Sequence, residues 1–117
     1  MNNSIKKNND EFWNDTLESG YYDKIYNEGL LKKRGLRSFW HYFTFKKVSK
    51  YIDKDIEHLD FACGPGTLIG NYSKKGSIGV DVSEKQINFA QNKYKEYKFF
   101  SLSNFNFDKH INKFDLI

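Results

Sequence analysis

The stretch His58-Leu59-Asp60-Phe61-Ala62-Cys63-Gly64-Pro65-Gly66-Thr67 constrains the fold of this chain more than any other. In it an apolar strand end runs directly into a turn of small residues and then into a helix start. At such a junction the backbone passes close to a ligand. Gly64 and Gly66 permit that approach because they lack a Cβ and tolerate positive φ, and Pro65 stiffens the bend between them. Fifteen positions after Gly66, Asp81 closes a second apolar run, Ser77-Ile78-Gly79-Val80-Asp81-Val82. A carboxylate at the tip of a neighbouring strand offers two acceptor oxygens, which is what the vicinal hydroxyls of a ribose require.

From this junction onward the pattern alternates. Apolar runs predict strands over 56–61, 77–82 and 97–102 with a fourth opening at Phe114, and helices over 67–73 and 83–94. Short connections between alternating strands and helices imply a parallel α/β sheet. Ser83 followed by Gln86 reads as a capping box, with Ile87, Ala90 and Tyr94 on the buried face of its helix. Upstream, residues 1–10 are rich in Asn and Lys and are expected to form a flexible tail. Phe12, Trp13 and Leu17, then Tyr21, Tyr22, Ile25, Tyr26, Leu30 and Leu31, recur at helical spacing up to a stop at Gly35. Lys32-Lys33-Arg34 reads as the solvated end of that helix. Residues 38–48 hold too many aromatics for one face, which predicts a helix packed on both the sheet and the preceding helix. Ser38 would cap it, Trp40, Phe43, Val48 and Tyr51 would form its buried stripe, and Lys46, Lys47 and Lys50 would face outward. The expected organisation is thus a tail over 1–10, a helical segment over 11–53 and an α/β unit over 54–117.

Taken together, Leu59-Asp60-x-Ala62-Cys63-Gly64-Pro65-Gly66-Thr67 and Gly79-Val80-Asp81-Val82-Ser83 resemble the opening motifs of class I S-adenosylmethionine-dependent methyltransferases. The resemblance runs from about Ile56 to the C-terminus, where Phe114-Asp115-Leu116-Ile117 is similar to the start of that family's fourth strand. It implies a Rossmann-like parallel sheet, S-adenosyl-L-methionine as cofactor and a small-molecule methyl acceptor. By the same resemblance Asp60 meets the methionine end of the cofactor, and Ala62, Gly64 and Gly66 let the chain run against it. Asp81 holds the ribose, Val82 lies on the adenine face and Gln86 beside it. Ser103, or Asn104 if the register slips by one, stands where many members carry an acid that accepts from the adenine amino group. Ala62 replaces the family's usual glycine, which is tolerated where φ is negative. The helical segment would close over the cofactor. In the family the catalytic base and most acceptor contacts come from the fourth strand onward, so no catalytic residue is named. The chain is expected to be an N-terminal portion that supplies the donor-binding half, with an open sheet edge that favours self-association.

Two other classes remain open: a non-catalytic cofactor-binding or interaction fragment, and a nicotinamide-dependent oxidoreductase. The G-x-G-x-x-G fingerprint of the latter is absent, because Ile69 stands where its third glycine would fall. The net charge is +4 and the pI about 9.0, yet the positive charge is lysine scattered among asparagines, which argues against a nucleic-acid partner. Cys63 is the only cysteine, so neither an intrachain disulfide nor a thiolate cluster can form, and no motif places a base beside it. His41, His58 and His110 are too dispersed for a metal site. The sequence shows neither a secretory signal nor an apolar run near the roughly 20 residues of a membrane span, and the expected location is cytoplasmic.

Overall fold

The computed structural model describes residues 11–32, 36–52, 56–73 and 77–117. The elements in chain order are α1 (Tyr21–Lys32), α2 (Leu36–Ser49), β1 (Leu59–Phe61), α3 (Thr67–Tyr72), β2 (Ile78–Asp81), α4 (Glu84–Lys93) and β3 (Lys98–Ser101). A single π-helical turn, Phe12–Thr16, precedes α1, and a 3-10 turn, Phe107–His110, follows β3. The strands lie in the order β1-β2-β3, all parallel, with Leu59 beside Ile78 and Ile78 beside Lys98. On the other side of β1, Leu116 bridges His58 in parallel, and the Leu59 N–H donates to the Leu116 carbonyl at 2.9 Å. The predicted fourth strand therefore opens next to the first, and the order of the sheet reverses at β1. That is the Rossmann-like, doubly wound α/β arrangement, in which ligand crevices open beyond the carboxyl ends of the strands at the reversal.

Each face of the sheet has its own core. Cys63, Ile69, Ile87, Ala90 and Phe99 pack together beneath α3 and α4, with Tyr94 and Tyr97 against them. Leu59, Val80 and Phe105 pack on the opposite face with Ile78, Phe100 and Phe114. His58, buried before β1, meets the Ser73 hydroxyl through Nδ1 at 3.2 Å, and burial holds its pKa below the ordinary histidine value.

The N-terminal helices differ from expectation in three ways. Phe12, Trp13 and Leu17 form one π turn rather than a longer helix, because the backbone turns extended at Leu17 and the following carbonyls are taken up elsewhere. The second aromatic helix begins at Leu36, so Ser38 lies within its first turn and is not its cap. Its buried stripe is also rotated: Trp40, Phe43 and Tyr51 are 65%, 60% and 71% exposed. The half-buried line is His41, Phe45 and Val48, because α2 packs chiefly on α1 and also on α3. Phe45 meets Tyr26 at 5.2 Å and Tyr72 at 6.4 Å between ring centroids, which directs that line inward. The tail over 1–10, Lys33-Arg34-Gly35 and the 53/54 boundary lie outside the described residues. Among the described residues no helix is long and apolar enough to cross a membrane.

What fastens α1 to the α/β unit is Asp23, which is fully buried. Its carboxylate accepts from Thr67 Oγ1 at 2.7 Å, Tyr94 OH at 2.5 Å, Asn27 Nδ2 at 3.0 Å and Lys93 Nζ. A buried carboxylate is tolerated only when so satisfied, and removing it strands the partners it served. Asp23→Ala is therefore expected to destabilise the fold by about 3 kcal/mol in urea denaturation. A change below about 1 kcal/mol would show that α1 is held by ring packing alone.

Candidate functional site

The turn after β1 is built around one carbonyl and one carboxylate. The Ala62 and Cys63 N–H groups both donate to the Val80 carbonyl, at 2.8 and 3.0 Å, which bends the chain sharply as it leaves the strand. Asp81 then ties the turn to the next loop: Oδ2 accepts from the Gly64 N–H at 2.8 Å and Oδ1 from the Ser83 N–H at 2.8 Å. An ionised carboxylate has about four acceptor positions, so each oxygen keeps capacity for a further donor.

The backbone conformations separate the small residues by role. Gly64 sits at φ +55°, and a Cβ built there would meet nothing within 4 Å, so its open side faces the cleft. Gly66, at φ +77°, is different. A Cβ there would fall 2.7 Å from the Phe99 ring and 3.0 Å from the Ala90 Cβ, so the requirement for glycine comes from core packing under α3. Ala62 has φ +66°. An alanine in place of the expected glycine is tolerated without strain only at negative φ, a condition that Ala62 does not meet. A left-handed alanine costs roughly 1–2 kcal/mol and persists only where its surroundings over-determine it, here through the paired bonds to Val80.

Two adjoining cavities flank this turn. One, about 410 Å³, is lined by Trp13, Leu17, Tyr22, Ala62, Gly64, Pro65, Asp81, Val82 and Gln86. The other, about 300 Å³, shares Tyr22, Ala62, Gly64 and Pro65 and adds Asp60, Cys63 and Leu68 with the α2 side chains Trp40, His41, Thr44 and Phe45. Of the residues singled out in the sequence, Asp60, Ala62, Gly64, Asp81, Val82 and Gln86 are thus gathered around one cleft, while Gly66 and Ser103 line neither cavity. Ser103 is exposed, and its hydroxyl meets that of Ser101 at 3.1 Å.

The walls contributed by Trp13, Leu17 and Tyr22 were not legible as site residues, and Trp40 reads from sequence as core. They reach the cleft through contacts that no local motif encodes. Ser83, which caps α4 by accepting from the Gln86 N–H at 3.3 Å, donates its hydroxyl to the Trp13 carbonyl at 2.7 Å. Gln86 does not close the box. Its Oε1 accepts from the Gly20 N–H and its Nε2 donates to the Glu18 carbonyl, both at 2.9 Å, so its amide holds the N-terminal segment over the end of β2.

Asp60 and Asp81 end neighbouring strands, and the pair governs the electrostatics. Burial, and then the Asp81 charge, push Asp60 up from 3.8 to about 6. Burial first and then these two acids push the Cys63 thiol well above its ordinary value, so it stays a protonated, inert side chain. Among the described residues no cluster of three or more His, Cys, Asp or Glu could hold a metal ion.

No protein-family model matches the chain, and no curated protein matches it. Among solved structures it is similar to a SAM-dependent methyltransferase from Anabaena variabilis, at 17% identity and a TM-score of 0.48 over 81% of this chain and 44% of that one. It is also similar to a TehB-like SAM-dependent methyltransferase from Corynebacterium glutamicum (18%, 0.43, covering 49% and 32%). A third likeness is to the YcgJ protein from Bacillus subtilis (18%, 0.42, covering 52% and 30%). The chain spans less than half the length of each.

Two outcomes follow from the geometry. Folding raises the Asp60 pKa, so the stability it contributes is complete below about 3.8 and is lost as pH rises through about 6. Asp60→Asn should therefore be more stable than the parent by about 3 kcal/mol at pH 7.5 and nearly equal to it at pH 4, by urea denaturation at the two pH values. Ala62→Gly relieves the left-handed alanine and should raise stability by about 0.5–1 kcal/mol after the entropic cost of glycine. A lower melting temperature would show that Ala62 is not strained.

Proposed function

We propose that the chain binds S-adenosyl-L-methionine in this cleft and forms the donor-binding half of a methyltransferase acting on a small molecule. The observation that carries this reading is the placement of Asp81. It is fixed by two backbone donors at the carboxyl end of β2, retains acceptor capacity, and stands across from Gly64, whose open side faces the same cleft. The residues present fit the cofactor: Asp81 for the ribose hydroxyls, Val82 for the adenine, Ala62 and Gly64 for close backbone approach, Asp60 for the ammonium group. When bound, the cofactor supplies a methyl group activated by its sulfonium.

The chain's own part is to bind and orient. Trp13, Leu17 and Tyr22 exclude water from the nucleoside side, where hydrogen bonds to Asp81 then count for more than in bulk solvent. A cationic ligand also favours the ionised form of Asp60, so its affinity should rise with pH through about 6.

A nicotinamide dinucleotide fits less well. Its pyrophosphate would add negative charge between two acids, and among the described residues no Lys or Arg lines either cavity. Ile69, where its third glycine would stand, is fully buried in the core.

Calorimetry with S-adenosylhomocysteine and with NADH tests the reading, with binding expected for the first only. Asp81→Ala should weaken S-adenosylhomocysteine by about 1.5–3 kcal/mol, the range for hydrogen bonds to a charged group, with Asp81→Asn losing less. Circular dichroism confirms that the variants fold. An unchanged dissociation constant in Asp81→Ala would remove Asp81 from the site.

A further inference from the structure

Four consecutive residues at the start of α4 strap the N-terminal segment down. The Ser83 hydroxyl donates to the Trp13 carbonyl at 2.7 Å, and the Glu84 N–H donates to Asn14 Oδ1 at 3.0 Å. Lys85 Nζ donates to the Asp15 and Leu17 carbonyls at 3.1 and 3.4 Å, and the Gln86 amide engages the Glu18 carbonyl and the Gly20 N–H. Trp13 is anchored through its carbonyl, so the strap fixes where the indole stands without using the ring. The indole lines the cavity of about 410 Å³ together with Val82 and remains 38% exposed. Phe12 meets it at 4.9 Å and 81°, an edge contact in which the two rings do not stack on each other.

Among its described lining this cavity has no side chain committed to the edge of a base. Ser103, which stands where the family motif sets an acid for the adenine amino group, is exposed and lines neither cavity. Gln86 is buried, and main chain engages both ends of its amide. Asp81 serves the ribose in the function proposed above. The Tyr22 hydroxyl, the other side-chain oxygen in the lining, both donates and accepts, so it does not tell an amino group from a carbonyl. A flat indole and the apolar surface of Val82 are left to hold the base. We propose that Trp13 is the base-binding residue: its indole stacks on a purine whose ribose lies on Asp81, with Val82 as the other wall. The site then selects the base by its flat face and not by its hydrogen-bonding edge. The identity of the ligand rests on the cofactor reading above, whereas the stacking wall responds to nucleosides alone.

S-adenosylhomocysteine and its deaminated analogue, S-inosylhomocysteine, differ only at the base edge, and calorimetry on the purified chain should give dissociation constants within about threefold of each other. Trp13→Ala should weaken both about tenfold, in the range for loss of base–aromatic stacking, and Trp13→Phe by less than about threefold. Phe12→Ala removes a ring that touches Trp13 but lines neither cavity, and should leave both constants within about twofold. Circular dichroism checks that each variant folds. In Trp40→Phe, where Trp13 is the only tryptophan, adenosine and inosine alone should quench its emission at similar concentrations, and uridine only at higher ones. A preference above about tenfold for S-adenosylhomocysteine over S-inosylhomocysteine overturns selection by the face. Unchanged binding in Trp13→Ala, or a uridine response equal to that of adenosine, overturns the stacking role of Trp13. The cofactor reading survives each of these results. Quenching by adenosine and inosine without any binding of S-adenosylhomocysteine sinks the cofactor reading and leaves a purine site on Trp13, and no response to any of these ligands overturns both.

Discussion

The Asp81 carboxylate is the point on which the site depends, because it joins two loops that the sheet alone would leave independent. The parallel pairing of β1 and β2 fixes where each strand ends but says nothing about the course of the chain beyond Phe61 or Asp81. By accepting from the Gly64 and Ser83 N–H groups, Asp81 sets the turn before α3 and the start of α4 in one frame. These donors belong to segments where backbone groups have few local partners, so a charged acceptor there is worth more than a neutral one. The same oxygens face the cleft. In the function proposed above, structural and binding roles are thereby combined in one side chain, and a ligand donor would add to a carboxylate that is already oriented.

The roof of the cleft depends on a second layer of polar contacts, and these are long-range. Asp23 fastens α1 to Thr67 and Tyr94, Gln86 fastens Glu18 and Gly20 to α4, and Ser83 fastens Trp13. All of them connect residues some 44 to 71 positions apart. The turn before α1 and α1 itself are therefore fastened by a few buried or half-buried hydrogen bonds, and α2 in turn by ring packing against Tyr22, Tyr26 and Tyr72. Loss of one such bond leaves a buried partner unsatisfied, a larger penalty than the net worth of the bond itself.

This difference explains what could be read from the sequence. The strand–turn–helix junction, the acid at the end of the second strand, the cap at Ser83 and the alternation of elements are local signals, each carried within a few residues. The structure has strands over Leu59–Phe61, Ile78–Asp81 and Lys98–Ser101 where apolar runs placed them, and brings Leu116 beside His58. The orientation of α2 was not legible, because its 14 residues are aromatic on every side and periodicity cannot choose between Trp40 and His41 for the inner face. Contacts with Tyr22, Tyr26 and Tyr72 make that choice. The turn motif places Gly66 against the ligand, yet glycine in a turn carries two meanings, close approach to a ligand and close approach to a core. Only the position of Phe99 distinguishes them. Gln86 lines the cleft and has the spacing from Ser83 for a reciprocal cap, but its amide pairs with Gly20 and Glu18, far away in sequence.

The energetics of the cleft oppose its own stability. The Asp60 carboxyl, buried beside Asp81, raises the free energy of the folded chain at neutral pH, and a left-handed alanine adds to that cost. None of this is needed to form a three-stranded parallel sheet, since a serine or asparagine at position 60 would satisfy the strand end more cheaply. Strain and charge are thus concentrated where β1 and β2 end, and in the function proposed above a bound cation would offset that repulsion. The lysine-rich exterior does not cancel this field at short range. Its charges are exposed and screened within about 8 Å at physiological ionic strength, whereas the acids act inside a cleft roofed by aromatic rings. The chain is therefore basic to its surroundings, while Asp60 and Asp81 make the walls of the cleft at the strand ends acidic.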